Sequence, residues 1–159
     1  MTINSSVKSK QEPNKEAVSV EKEIATIAEA MLDKKAKNVC SLDLTKIGTA
    51  ICDYFVICNA DSTTAVSAIA DNVEDEMINK CETKVVRKQG QENAFWVILD
   101  YGNIVVHIFQ TDYREFYRLE DLWADAIKKE YEEYKQKGTS MREYSGDEFL
   151  GRFGKEFIY

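Results

Sequence analysis

The sequence predicts an α/β or α+β domain, a mixed sheet of about five strands with helices packed on it. Three observations carry this. Short apolar runs at 54–58, 95–99 and 104–109 have the length and the β-branched or aromatic content of strands. Two stretches, 24–32 and 66–77, repeat apolar residues at helical spacing. The second of these helices falls between strand candidates, which is the pattern of a βαβ crossover.

Taken in order, residues 1–17 are polar, hold the only proline, Pro13, and read as a disordered tail. Ser19 is placed to cap a helix whose apolar stripe is Ile24, Ile27, Ala28, Met31 and Leu32. Lys34, Lys35 and Lys37 then fall where the helix dipole favours cations. Val39 to Leu44 reads as a short strand, and Gly48 and Asp53 flank a connection. Tyr54 to Cys58 is continuously apolar, as a strand covered on both faces is. A turn at Asn59 to Ser62 leads into the helix of Val66, Ile69, Ala70, Val73 and Met77. Lys84 to Lys88 is a third strand, and Gln89 to Asn93 is a polar loop around Gly90. Phe95–Leu99 and Ile104–Phe109 form a hairpin whose turn, Asp100-Tyr101-Gly102-Asn103, places glycine where positive φ is needed. From Asp112 the pattern is helical through Phe116, Leu119, Leu122, Trp123, Ala126 and Ile127. The charged run Lys128 to Tyr134 extends that helix. The division is thus a tail at 1–17, a domain at 18–126, and a charged helix with an aromatic extension at 127–159, of which Met141 to Tyr159 is expected to pack on the domain.

The net charge is −7 and it is unevenly placed. Residues 18–126 carry eleven basic against nineteen acidic residues, whereas the two flanking regions are close to neutral. An acidic domain repels phosphate backbones, so a broad nucleic-acid surface is not expected; a basic protein partner suits it, and so does plain solubility. No run is long enough to span a membrane, and the N-terminus shows no apolar secretory core, so the cytosol is the expected compartment. Cys40, Cys52, Cys58 and Cys81 show no C-x-x-C spacing and read as small buried hydrophobes.

Reaction chemistry is sparse. There is no phosphate-binding glycine loop and no nucleophile elbow. His107, the only histidine, lies in a strand with no nucleophile signalled nearby, so a structural or interface role suits it better than general-base work. Asp43, Asp53 and Asp100 end strands, where paired carboxylates can hold Mg²⁺ for phosphoryl transfer; their scattered spacing favours turn-capping instead. No catalytic residue, metal or cofactor is expected. Trp123 reads as core, and Trp96 as core or interface.

Trp96-Val97-Ile98-Leu99-Asp100-Tyr101-Gly102-Asn103-Ile104-Val105-Val106-His107-Ile108-Phe109 resembles the W-x-x-x-D-Y-G-x-x-x-x-H-x-F core of the ribosomal silencing factor (Iojap) family. Arg114 to Trp123 resembles its R-x-F/Y-Y-x-L-E-x-L-W ending, Asp53 to Cys58 its D-Y/F-F-V-I-C/A strand, and Ala65 to Val73 the helix that follows. The pieces occur in family order over residues 20–126; Gln89 to Asn93 departs from the family pattern, and 127–159 extends past it. The resemblance implies a nucleotidyltransferase-like shape without the catalytic carboxylate pair. It also implies binding to the large ribosomal subunit through universal large-subunit protein number fourteen, blocked joining of the small subunit, repressed translation when nutrients fall, and a homodimer when free. Under it, Trp96 is an aromatic anchor and Asp100 meets basic groups. Tyr101 and Gly102 shape the hairpin, His107 gives a hydrogen bond or ring packing, and Arg114, Tyr117 and Trp123 complete the patch or brace it. Two other readings stay open: a Mg²⁺-dependent phosphoryl transferase using Asp43, Asp53 or Asp100, and a dimeric adaptor with no ribosome association.

Overall fold

The computed structural model describes residues 20–134 and 140–145. Helix α1 covers residues 20–33 and buries Ile27, Ala28, Met31 and Leu32, the stripe its sequence displays. Strand β1 (Lys37–Asp43) follows, then β2 (Tyr54–Ala60), which is buried from Phe55 onward. Helix α2 (Thr63–Cys81) starts at Ser62, whose hydroxyl accepts from the Ala65 N–H at 3.1 Å. It ends where Glu82 turns left-handed, and it buries Val66, Ile69, Ala70, Val73 and Met77. Strand β3 is only Arg87–Gln89, shorter and later than the expected 84–88.

Strands β4 (Trp96–Asp100) and β5 (Ile104–Gln110) make the expected hairpin. Asp100 Oδ1 accepts from the Gly102 N–H at 2.8 Å, and Gly102 has φ +94, which a residue with Cβ rarely adopts. Helices α3 (Thr111–Tyr117) and α4 (Leu119–Leu122) come next, then β6 (Ile127–Tyr134) and β7 (Ser140–Ser145).

The sheet has seven strands in the order β3-β4-β5-β2-β1-β6-β7. Only β2 and β5 run parallel among neighbouring strands of the described residues. The α2 crossover therefore exists, but it carries the chain from β2 past two strands to the edge strand β3 rather than to a neighbour.

Two expectations change. The helix predicted to run from 112 through the charged segment breaks at Arg118, which takes φ +48, and residues 127–134 form a strand on the free edge of β1. The charges conceal a period of two. Tyr131 points to the helix-covered core and its hydroxyl bonds Ser41 Oγ at 3.0 Å, while Lys128 and Glu130 point to the other face. Nor is the apolar stripe of 116–127 a core stripe: Tyr113, Leu119, Trp123 and Ala126 pack inward, and Phe116 and Leu122 lie 78% and 73% exposed. The tail at 1–17, the cap at Ser19 and the segment after Ser145 lie outside the described residues.

The two faces of the sheet differ. Helices α1 and α2 seal one, over Val56, Cys58, Val97, Leu99, Ile104, Val106 and Ile108. The other carries Cys40, Leu42, Phe55, Ile57 and Phe109 and, among the described residues, is covered by the 44–53 connection and the α3–α4 pair.

Candidate docking face

Register decides which side chains share the less covered face. Trp96 lies opposite Phe109, Ile98 opposite His107, and His107 opposite Ile57 of the parallel neighbour. Alternation then sets Trp96, His107, Phe109 and Phe55 on one surface. The Trp96 ring stacks on Phe109 with centroids 4.8 Å apart and meets Tyr117 at 4.9 Å. Its indole N–H donates to His107 Nδ1 at 3.1 Å. His107 stands edge-on to Phe55 at 4.6 Å, and Trp123 meets the same ring edge-on at 6.0 Å.

His107 is 5% exposed, and burial pushes its imidazole down to about 4, so the ring is neutral at physiological pH. Accepting at Nδ1 leaves the proton on Nε2, which is buried without a hydrogen-bond partner among the described residues. The imidazole is thus spent on holding the indole. Gly90 fixes the start of the same strand: at φ +84, a Cβ there would lie 2.0 Å from the Trp96 carbonyl oxygen.

Arg114 ties the helical cover to the sheet. Its Nη1 donates to the Asn38 carbonyl at 2.7 Å and to Asn59 Oδ1 at 3.0 Å. Its Nε and Nη2 form a two-point bridge with Glu120, at 3.1 and 2.7 Å. Lys128 of β6 reaches Glu120 at 3.3 Å and Glu130 at 3.1 Å. Burial alone would raise the Glu120 carboxyl, but Arg114 and Lys128 outweigh it and hold the group below the ordinary range. Glu130, which has Lys128 but no direct bridge to Arg114, is raised by the same burial. Burial also pushes the Cys40 thiol, beside Arg114, up to about 12.

The sequence-predicted residues therefore divide. Trp96, His107, Tyr117 and Trp123 come together through Phe55 and Phe109, and Arg114 braces them from beneath α3. Asp100, Tyr101 and Gly102 lie at the far end of β4, where Asp100 caps its own turn and Tyr101 packs into the helix-covered core. Asp43 likewise accepts from its own turn, from the Thr45 N–H at 2.9 Å and hydroxyl at 2.6 Å. Among the described residues no three His, Cys, Asp or Glu side chains stand together so as to hold a metal ion. No helix among them is long and apolar enough to cross a membrane.

Sequence reasoning missed Phe55, Phe109 and Tyr113 as members of the face, and Glu120, Lys128 and Glu130 as its ionic support. Alternation of Val105, His107 and Phe109 along β5 signals Phe109 alone; Phe55 of β2 and Tyr113 of α3 join it only through strand pairing and helix packing. Nothing in a spacing of six across a helix break signals the Arg114–Glu120 bridge.

The surface continues outward over α3. Phe95 stacks on Tyr113 at 4.7 Å, Tyr113 meets Tyr117 at 6.5 Å, and Tyr117 meets Phe116 at 5.1 Å. Phe95 and Tyr117 are 41% and 46% exposed. Asp112, Glu115, Asp121 and Asp125 are exposed in the same segment.

The family model described as "Ribosomal silencing factor during starvation" matches residues 17–148. The chain is 39% identical over 107 residues to the ribosomal silencing factor RsfS of Bacillus subtilis, covering 67% of this chain and 89% of that relative. It is 40% identical over 97 residues to RsfS of Halalkalibacterium halodurans, covering 61% and 81%. A crystal structure of a Chromobacterium violaceum protein superposes with a TM-score of 0.59 at 32% identity, over 65% of this chain and 85% of that one. Matching sequence along most of the chain and matching fold agree: the chain belongs to the ribosomal silencing factor family.

Proposed function

We propose that the chain binds the large ribosomal subunit through the aromatic face of the sheet and the surface of α3 and α4. By occupying that site it keeps the small subunit from joining, and so represses translation when nutrients are limiting. The observation that carries this reading is the run of partly exposed rings Phe95, Tyr113, Tyr117 and Phe116, backed by the fixed Trp96–His107 pair and edged by carboxylates. Such a surface offers buried anchors at its centre and negative charge at its rim. A basic ribosomal protein, universal large-subunit protein number fourteen, is the partner it fits. Occlusion requires fit and not turnover, so it needs no catalytic group and no cofactor. The setting is the cytosol. A homodimer formed through the same rings when the protein is free would keep them from water.

Sedimentation with isolated large and small subunits at two salt concentrations tests this, with light scattering of subunit joining alongside. The expected result is cosedimentation with the large subunit alone, weakened by salt, and slowed joining. Trp96→Phe, which keeps a ring but removes the indole N–H, is expected to weaken binding. Absence of binding at low salt, or binding with joining unaffected, overturns the proposal.

A further inference from the structure

The cations of this acidic domain are unevenly placed. Residues 83–91 hold Lys84, Arg87 and Lys88 and no carboxylate. All three cations are exposed. Lys88 reaches Glu74 of α2 at 3.3 Å. Lys84 and Arg87 form no ion pair among the described residues. Arg87 and Lys88 lie on β3, the outermost strand on this side of the sheet, and Lys84 lies in the segment that leads into it.

Register places this edge beside Trp96. Lys88 lies opposite Leu99, a residue of the helix-covered core, and turns toward α2. Alternation therefore sends Arg87 and Gln89 to the other side, which is the side of Ile98 and Trp96. Backbone contacts fix the spacing. The Ala94 N–H bonds the Gly90 carbonyl at 2.9 Å, and Gly90 leaves no room for a Cβ beside the Trp96 carbonyl. Asp100, the carboxylate opposite Arg87, is engaged with its own turn. Trp96 thus has carboxylates on one flank, Asp112, Glu115 and Asp121 of α3 and α4, and free cations on the other.

We propose that Lys84 and Arg87 contact the phosphate backbone of ribosomal RNA beside the protein partner. This rests on the reading of the aromatic face as the docking site and adds a second kind of contact to it. A ribosomal protein is set in RNA, so a factor seated on one meets phosphate at the border of the contact. The acidic flank suits the basic protein, and the β3 rim suits the RNA. The negative charge elsewhere on the domain repels phosphate and confines the RNA contact to this rim. Contacts to phosphate position the protein without reading bases, and their signature is salt dependence.

The test uses the full-length chain and isolated large subunits. Affinity is measured at several salt concentrations for wild type and for the Lys84→Gln, Arg87→Gln double variant. The variant is expected to bind about tenfold more weakly at low salt, with a log–log salt slope shallower by about 1–2. A Lys22→Gln, Lys34→Gln double variant makes the same change in net charge near the two ends of α1 and is expected to bind as wild type. Unchanged affinity and slope in the first variant, or an equal loss in the second, overturns the proposal. In a second arm a benzophenone amino acid replaces Val86, which is 72% exposed between the two cations. Irradiation on the subunit is expected to give adducts that ribonuclease trims; adducts with protein alone assign the rim to an acidic protein segment and overturn the RNA contact. If wild type itself does not sediment with the subunit, the docking reading fails and this contact falls with it. If wild type sediments and the first variant matches it, the RNA contact fails alone.

Discussion

The two faces of this sheet are built from similar strands and solved differently. Under α1 and α2 the surface is sealed mainly by aliphatic side chains, with Tyr101 and Tyr131 among them. Under α3 and α4 it is aromatic, partly open, and held by an ionic cluster of Arg114, Glu120, Lys128 and Glu130. Close aliphatic packing supplies stability without regard to what lies outside. A two-point ion bridge and an indole–imidazole bond supply less net stability but fix where each ring points. The second face is organised for position.

Cutting the bridge breaks the comparison hardest. Arg114→Met leaves Glu120 buried with only Lys128 beside it, and a loss of about 3–5 kcal/mol is expected in urea unfolding. A loss under 1 kcal/mol would mean that the aromatic face stands without its ionic brace. On the sealed face, Ile69→Ala is expected to cost about 2–4 kcal/mol while leaving large-subunit affinity unchanged at temperatures where it is folded. A matching loss of affinity would show that the faces are coupled.

The third prediction concerns acid. The folded pKa of His107 is depressed to about 4 from an ordinary value of about 6.5. The unfolded chain thus binds the proton first, and stability present above pH 6.5 falls as pH falls toward 4. Roughly 2 kcal/mol of the stability at pH 7 is expected to be lost by pH 5. In His107→Gln that slope should flatten, whatever its absolute stability. An unchanged slope would assign the acid response elsewhere. Smallest of all, Phe116→Ser is expected to shift stability by no more than about 0.5 kcal/mol, since the ring lies exposed. The same variant is expected to weaken subunit binding at least tenfold, a separation of fold from function that calorimetry and sedimentation together would detect.

Where periodicity and burial agree, the chain is legible. The α1 and α2 stripes, the β4–β5 hairpin and its glycine, and the membership of Trp96 and His107 in one face all follow from spacing and turn chemistry. Two features were not legible for stated reasons. The strand at 127–134 alternates charged residues that are inward on one side because Arg114 and Glu120 await them, and that demand arises only after folding. Phe116 and Leu122 have helical spacing but fall on two separate helices, α3 and α4, divided at a left-handed Arg118. Periodicity reports a stripe without reporting what covers it. The separation of Asp100 from Trp96 is the simpler case, since strand geometry puts four residues about 13 Å apart.

The strand order sets a problem for vectorial synthesis. Strand β1 is made early, yet its outer neighbour β6 is made only after β5, α3 and α4. Until residue 134 has cleared the exit tunnel, the nascent chain presents the β1 edge unpaired, with Glu120 still lacking Lys128. A stalled or truncated product is therefore the form with an open edge, and such an edge is a template for pairing with other chains.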